Sequence, residues 1–558
     1  MNFYKEDPNL AFNLKKYLDD EFFKWADKKL EQFGELCGTE IDERAVFTDR
    51  DGQPKLIKYD KMGNDISYVW VNDGYKKTVE QTYNTGIVGY IHKEIPELRR
   101  RGNYIYSYAQ GYLLSHAEPG FYCPVTLTMA TAYLIDHYAS EELKKKYLPH
   151  VLSTGETELY EGATFLTERQ GGSDVGANEV KAIPDINGNY RIYGEKYFAS
   201  NAGQCGVAMV LARIEGAPSG TKGLSLFLVP WKKDNGILNH LEIRRLKDKL
   251  GVRAVPSGEV VFHGSEAYLV GDASKGFYYM MEALNLSRIC NAVASIGIMR
   301  RAFLEARNYA RSRQAFGQYL IDFPMVKESL VKLAVKQEVE TSAVFSLVAL
   351  FDRIANHHPS ITMEDHVMNR LLIALLKKET AEQAIHFSHE AIEMHGGNGY
   401  IEDFVTPRLL RDAQVLTVWE GTANILGLEV LRLLKKYDAG RVFVSYVQEE
   451  LKKLHKDLEA FITPVKKGVE TLKQQLTYLS INNEDVQTYH SKRVAKLMCD
   501  IYESIIALKD AQIGGDRKVK VAQIFIQNTW KMNEWMDEEL LALRYFDDII
   551  QTDKVIKI

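Results

Sequence analysis

At 558 residues the chain exceeds the ~100–200 residues of one domain, so several packed units are expected. Its 46% hydrophobic and 26% charged residues exclude a disordered or low-complexity chain. Lys+Arg 70 against Asp+Glu 75 gives a net charge of -5, which excludes a global basic field for drawing in nucleic acid or anionic lipid.

The opening stretch MNFYKEDPNL has neither the apolar core of a secretory signal nor the Arg-rich, acid-poor character of a transit peptide, and reads as a cytoplasmic start. No apolar run reaches the ~18–20 residues that cross a bilayer, so no membrane association is expected. Cys37, Cys123, Cys205, Cys290 and Cys499 lie far apart without C-x-x-C spacing. That pattern points to reduced thiols and away from a disulfide framework or a zinc site.

Residues 1–155 read as an N-terminal helical domain, ending in a segment where Ser140 is placed to cap a helix and Gly155 to close it. Residues 156–275 change period. YRIYGEKYF, GVAMVLARI, GLSLFLVPW and GEVVFHG are short runs rich in β-formers and punctuated by Gly, Pro and Asn, which predicts a small antiparallel β domain. Helical spacing returns over 276–436, as in Val326, Leu330 and Leu333, and predicts a helical bundle. After KKYDAG, residues 437–558 form a C-terminal helical extension, with Leu451, Leu454, Leu458 and Phe461 spaced three and four apart, then Ile501, Ile505 and Leu508. The fold class is mainly α with a central β domain.

Five motifs carry chemistry. TERQGGSDVGA, from Thr167, follows a strand-like run; its glycines allow close backbone approach to a ligand and its hydroxyls can meet polar edges, although an ordinary hairpin loop has the same look. GEKYFASNAG places Phe198 and Ser200 on one face of a strand. In RSRQAFGQYLIDFP, Arg313 precedes Phe316, and a guanidinium there can clamp a pyrophosphate or simply sit in solvent at a helix end. EMHGGNGYIED, from Glu393, offers glycines to a phosphate-like group. VWEGTAN sets the carboxylate of Glu420 between a tryptophan and a Gly-Thr turn.

In this order and combination the motifs resemble the acyl-CoA dehydrogenase flavoprotein family, over roughly Glu118 to Lys436. The resemblance implies a helical N-domain, a middle β domain and a four-helix bundle holding FAD, with Glu420 as the catalytic base. It assigns Leu166, Thr167, Ser173, Phe198, Ser200, Arg313, Phe316, Glu393, Gly396, Gly397, Thr422 and Asn424 to the cofactor. Ser173, Arg288 and Gly421 are assigned to substrate. Ser287 stands where some members carry the base on an earlier helix, and a serine cannot serve as a carboxylate base.

The implied reaction is α,β-dehydrogenation of an acyl-CoA, in lipid metabolism of the fatty acid β-oxidation kind. An electron-transfer flavoprotein is the implied acceptor and a homo-oligomer, tetramer or dimer, the implied assembly. An α-proton beside a thioester is weakly acidic, so its removal calls for a carboxylate in a dry pocket, with Trp419 and the apolar flank helping to supply the dryness.

EPGFYCPVTLTMA, RLKDKLG, MRRAF and WEGTANI resemble in particular the branch of the alkylation-response protein AidB. Gly427 departs from the arginine that many members carry there. Residues 437–558 hold 18 Lys+Arg and 19 Asp+Glu, a net of 18 − 19 = −1, which argues against nucleic acid as a partner. Arg517, Lys518 and Lys520 read as a solvated helix end rather than a phosphate-binding patch. The Tyr-rich NYIYSYAQGYLLSH either narrows the substrate channel or belongs to the core.

Overall fold

The computed structural model describes residues 1–530 and 540–550. In chain order the helices used below are α1 (Pro8–Tyr17), α2 (Tyr104–Ala117), α3 (Pro119–Tyr138), α4 (Gly276–Ser312), α5 (Pro324–Ala355), α6 (Met363–His395), α7 (Thr406–Leu416), α8 (Ala423–Tyr437), α9 (Ala439–Lys452), α10 (Glu459–Ser480), α11 (Glu484–Ile513) and α12 (Gly515–Trp530). The strands of the large sheet are β1 (Glu161–Phe165), β2 (Lys181–Pro184), β3 (Tyr190–Ser200), β4 (Cys205–Ile214), β5 (Leu224–Pro230), β6 (Leu241–Leu246) and β7 (Ser257–Leu269). The chain divides into two compact units, Leu36–Cys290 and Met1–Glu35 with Asn291–Ile558. The first 35 residues therefore group with the bundle and extension, a long-range association that local periodicity does not carry.

In the Leu36–Cys290 unit, all fourteen residues of α2 are buried, so the tyrosine-rich segment is core. Ser140 caps the helix Glu141–Val151, its Oγ accepting the Leu143 N–H, and Gly155 follows at φ +107°. A short hairpin, Lys55–Tyr59 with Asp65–Trp70, interrupts the helical reading of the first 155 residues.

The seven-stranded sheet runs β6-β7-β3-β2-β4-β1, with β5 pairing both β7 and β4. Most pairings are antiparallel, but β1 and β2 each lie parallel to β4. Pairing direction depends on connections that strand composition does not encode, so the short β-rich runs gave the strands without it. β5 is buried at every position, which is why it reads as an unbroken apolar run.

In the other unit, Pro324 opens α5, where its missing N–H is no loss, and Thr362 and Asp365 form a capping box at the start of α6. Asp438, at φ 50° and ψ 37°, is the left-handed break between α8 and α9. Leu451, Leu454, Leu458 and Phe461 do not share one helix, since α9 stops at Lys452 and α10 starts at Glu459. Ile501, Ile505 and Leu508 are buried on α11 as their spacing predicts. A Cβ on Gly427 would stand 2.8 Å from Ser491 Oγ of α11, so the glycine admits the extension against α8.

The basic cluster of the extension is not solvated. Arg517 Nη1 donates to both carboxylate oxygens of Glu338 on α5, at 2.8 and 2.9 Å, and Lys518 Nζ lies 2.6 Å from the same group. Lys518 also donates to Asn9 of α1 at 2.6 Å, while Lys520 pairs with Asp516 and Asp548. A buried partner distant in sequence captures the cations that helix-end position alone would leave in water.

Two residues further along α5, Glu340 meets Glu379 and Glu503 around the ammonium of Lys336, which lies 2.7–3.1 Å from all three. Burial, with Glu503 and Glu379 alongside, pushes Glu340 up to about 8 against the pull of Lys336. Among the described residues no helix is long and apolar enough to cross a membrane. None of the five cysteines, all among the described residues, forms a disulfide, and Cys123 is the one that is partly exposed.

Candidate functional site

Glu420 closes the four-residue turn that joins α7 to α8. Its φ of +54° is a left-handed conformation that costs a non-glycine residue about 1–2 kcal/mol, and Gly421 follows at φ +109°. Two buried side chains from other helices meet this turn. Asn291 Nδ2, on α4, donates to Glu420 Oε2 at 2.9 Å and to Leu416 O at 3.1 Å. Lys377 Nζ, on α6, donates to Gly421 O at 2.8 Å. Glu420 and Trp419 are half-buried and Val418 is 58% exposed, so the apolar flank does not by itself enclose the carboxylate.

Sequence reading missed both donors. Asn291 is the one amide in the largely apolar run ICNAVASIGI, which was the available signal; Lys377 sits in an ordinary Lys-Lys pair and gave none.

The same unit carries the remaining bundle motifs. Thr422 opens α8 without a side-chain cap bond, and Asn424 is exposed in its first turn. Gly396 ends α6 at φ +60°, and a Cβ on Gly396 or Gly397 would meet nothing within 4 Å. That backbone is open to a ligand. Glu393 is exposed one turn earlier, with His389 3.9 Å away. Arg313 leads into a two-stranded hairpin, Gln314–Ala315 with Gln318–Tyr319, whose tip presents Phe316 at 96% exposure and φ +52°.

In the Leu36–Cys290 unit, the T-E-x-x-G-G-S-D and G-x-K-x-F-x-S-N motifs are tied by a buried ion pair. Lys196 Nζ lies 2.8 Å from Glu168 Oε1 and also donates to Leu166 O at 3.1 Å, while Glu168 accepts the Glu179 and Val180 N–H groups. Burial pulls Lys196 below its ordinary range, and Glu168 opposes that pull. Both residues lay inside quoted motifs, unassigned.

The pair fixes β3 against the loop after β1. Phe198 (53% exposed) and Ser200 then share the face opposite buried Ala199, with Lys247 Nζ 4.7 Å from the Phe198 ring. Thr167 is half-buried, and a Cβ on Gly172 would stand 2.6 Å from its Oγ1, so only glycine fits there; Ser173 is exposed beside it. Arg288 is buried, with Nη1 donating to Asn285 Oδ1 at 3.3 Å, and Ser287 is buried next to it.

Each unit thus offers groups that suit a flavin dinucleotide. One has an open aromatic face with hydroxyls beside it, and the other has open glycine backbone for phosphate oxygens.

Family models match three consecutive stretches: the adaptive response protein AidB N-terminal domain at residues 1–155, the acyl-CoA dehydrogenase middle domain at 163–265, and the acyl-CoA dehydrogenase C-terminal domain at 274–434. Acyl-CoA dehydrogenase family member 11 of Caenorhabditis elegans is 30% identical over 564 residues, covering 96% of this chain and 90% of that protein. The putative acyl-CoA dehydrogenase AidB of Escherichia coli is 30% identical over 420 residues, covering 74% and 75%. The crystal structure of Caenorhabditis elegans ACDH-11 in complex with C11-CoA superposes with a TM-score of 0.87 at 27% identity, covering 99% of this chain and 96% of that one. The chain belongs to the acyl-CoA dehydrogenase family, in the branch that carries an AidB-type N-terminal domain.

Proposed function

We propose that the chain is an FAD-dependent acyl-CoA dehydrogenase in which Glu420 takes the α-proton of an acyl-CoA thioester and trans-2-enoyl-CoA is the product. The observation that carries this reading is the turn itself: a half-buried carboxylate in a left-handed conformation, met by Asn291 and followed by Gly421 and Thr422. Strain of this kind persists only where its surroundings hold it, and it clusters at reacting groups.

FAD, when bound, supplies the acceptor for the β-hydride. The chain's part is to place groups around that chemistry. Phe198 gives an apolar face for the ring, Ser200 and Thr167 give hydroxyls for its polar edge, and Gly396 with Gly397 gives backbone for the pyrophosphate. Arg313 and Phe316, at an exposed hairpin tip, suit contact with a second copy of the chain in a dimer or tetramer. Glu420 holds the abstracted proton on its carboxyl, and the Glu420 N–H would be a donor to the developing enolate oxygen. Electrons then pass to an electron-transfer flavoprotein.

The second reading is a flavoprotein with weak or vestigial dehydrogenase activity that acts in stress response through DNA or protein binding. Its DNA-binding form is disfavoured because Arg517, Lys518 and Lys520, the basic cluster of the extension, are all engaged by carboxylates of the chain. The test is an acyl-CoA panel read by anaerobic bleaching of the flavin. Bleaching by a saturated acyl-CoA is expected, with its loss in Glu420→Gln; a variant that still turns over would overturn the assignment of the base.

A further inference from the structure

We infer that Asn291 is a positioning residue that holds the Glu420 carboxylate in its ionised form and so sets the lower end of the pH range over which the base works. The inference rests on the reading of Glu420 as base and adds to it a residue that no family motif quoted above contains.

Asn291 Nδ2 has two hydrogens, and each has an acceptor: Glu420 Oε2 at 2.9 Å and Leu416 O at 3.1 Å. A carboxylate and a carbonyl can only accept, so the chemistry of the neighbours fixes which end of the amide points at them. Leu416 closes α7, and its carbonyl is one of the last-turn groups that a helix leaves without an internal partner. One side chain therefore ties both ends of the turn Thr417–Glu420 to α4. On the far side of Glu420, Lys377 ties Gly421 O to α6.

The remaining atom of the amide shows that this placement is kept at a cost. Asn291 Oδ1 is buried without a hydrogen-bond partner, a destabilising condition that an apolar side chain of the same shape would avoid. An amide standing here under that penalty fits a use for its donor.

The choice of donor matters as much as its place. A neutral amide favours the ionised carboxylate over the neutral carboxyl, because a hydrogen bond to an anion is stronger than one to its conjugate acid. An ammonium or guanidinium in the same place would lower proton affinity by a further one to three pH units, leaving too weak a base for an α-proton. Lys377 faces the turn from α6, and the first turn of α8 carries no acidic residue. Both conditions are the same in every variant below.

The experiment is the pH dependence of kcat/KM for the FAD-loaded full chain with C11-CoA. Asn291→Leu should move the acid limb up by about one to two pH units, the size of one hydrogen bond to a charged group, with activity above the limb returning to within a few-fold of wild type. Asn291→Asp, which keeps the shape, should move it further by adding a like charge. Flavin content and melting temperature show that each variant is folded.

A loss that is equal at all pH values, with the limb unmoved in the folded Asp variant, overturns the role given to Asn291. Turnover retained by Glu420→Gln is a different result and overturns the underlying assignment of the base instead.

Discussion

Glu420 and Glu338 belong to the same unit and receive opposite treatment. Glu338 is fully withdrawn from water and held by two cations. Burial alone would raise its pKa, and the Arg517 and Lys518 charges outweigh that and hold it well below the usual carboxylate range. Glu420 is only half-buried, meets a neutral amide, and sits on strained backbone. The first arrangement locks an anion into a joint between helices; the second leaves a carboxylate partly open, as the proposed role of proton acceptor requires. Glu340, two residues from Glu338, is a third case in which three carboxylates share Lys336, so that one of them holds a proton near neutral pH.

Crossed substitutions separate these roles. Glu420→Gln should lower kcat by about 10²- to 10⁴-fold, as expected for loss of a general base, while leaving the urea midpoint unchanged. Glu338→Ala should do the reverse: about 3–5 kcal/mol of stability lost in urea unfolding, because two buried cations lose their partner, with little change in turnover of the folded fraction. If Glu338→Ala melts like wild type, the joint is not what holds the extension.

The third prediction is a pH effect. Glu340 is raised from 4.5 to about 8 and Glu503 to about 6, so the native state binds protons that the unfolded chain has released. A group raised in the folded state contributes stability fully present below its unfolded value and lost as pH rises through its folded one. The unfolding free energy should therefore fall between about pH 4.5 and pH 8, with a slope of at most about 1.4 kcal/mol per pH unit for each proton, and the melting temperature should fall with it. Glu379 moves the other way, down to about 2, and its contribution is lost only in acid. Glu340→Gln should flatten the decline above about pH 6, and an unchanged slope would place the titrating group elsewhere.

The smallest effect concerns Gly427. Its Ala variant should cost about 1 kcal/mol by crowding Ser491, without touching the pH slope or the activity.

Much of this was legible in the sequence. The five motifs, in their order along the chain, carried the family resemblance, and that resemblance put Glu420, Phe198 and Gly396 forward as site residues; each motif is a local stretch, which is why it could be read without knowing any contact. The missing pieces share one physical cause. Asn291 lies 129 residues from the carboxylate it meets, and Arg517 lies 179 from Glu338. A helix periodicity says which face of a residue is buried and nothing about who stands opposite. The same limit hid the break between α9 and α10, where the apolar spacing continues while the chain turns, and the parallel pairings of β4.

The long-range stitching of α1 has a consequence for how the molecule is made. Asn9 donates to the backbone of Glu338 and accepts from Lys518, and Lys16 pairs with Asp510. These polar groups of α1 are thus matched by residues that lie 329 to 509 positions further along the chain. Until those distant residues have folded against it, α1 lacks its polar partners, which makes deletion of α1 or a bulky tag beside it a lesion of late assembly, felt in yield of native protein before it is felt in the chemistry of the finished enzyme.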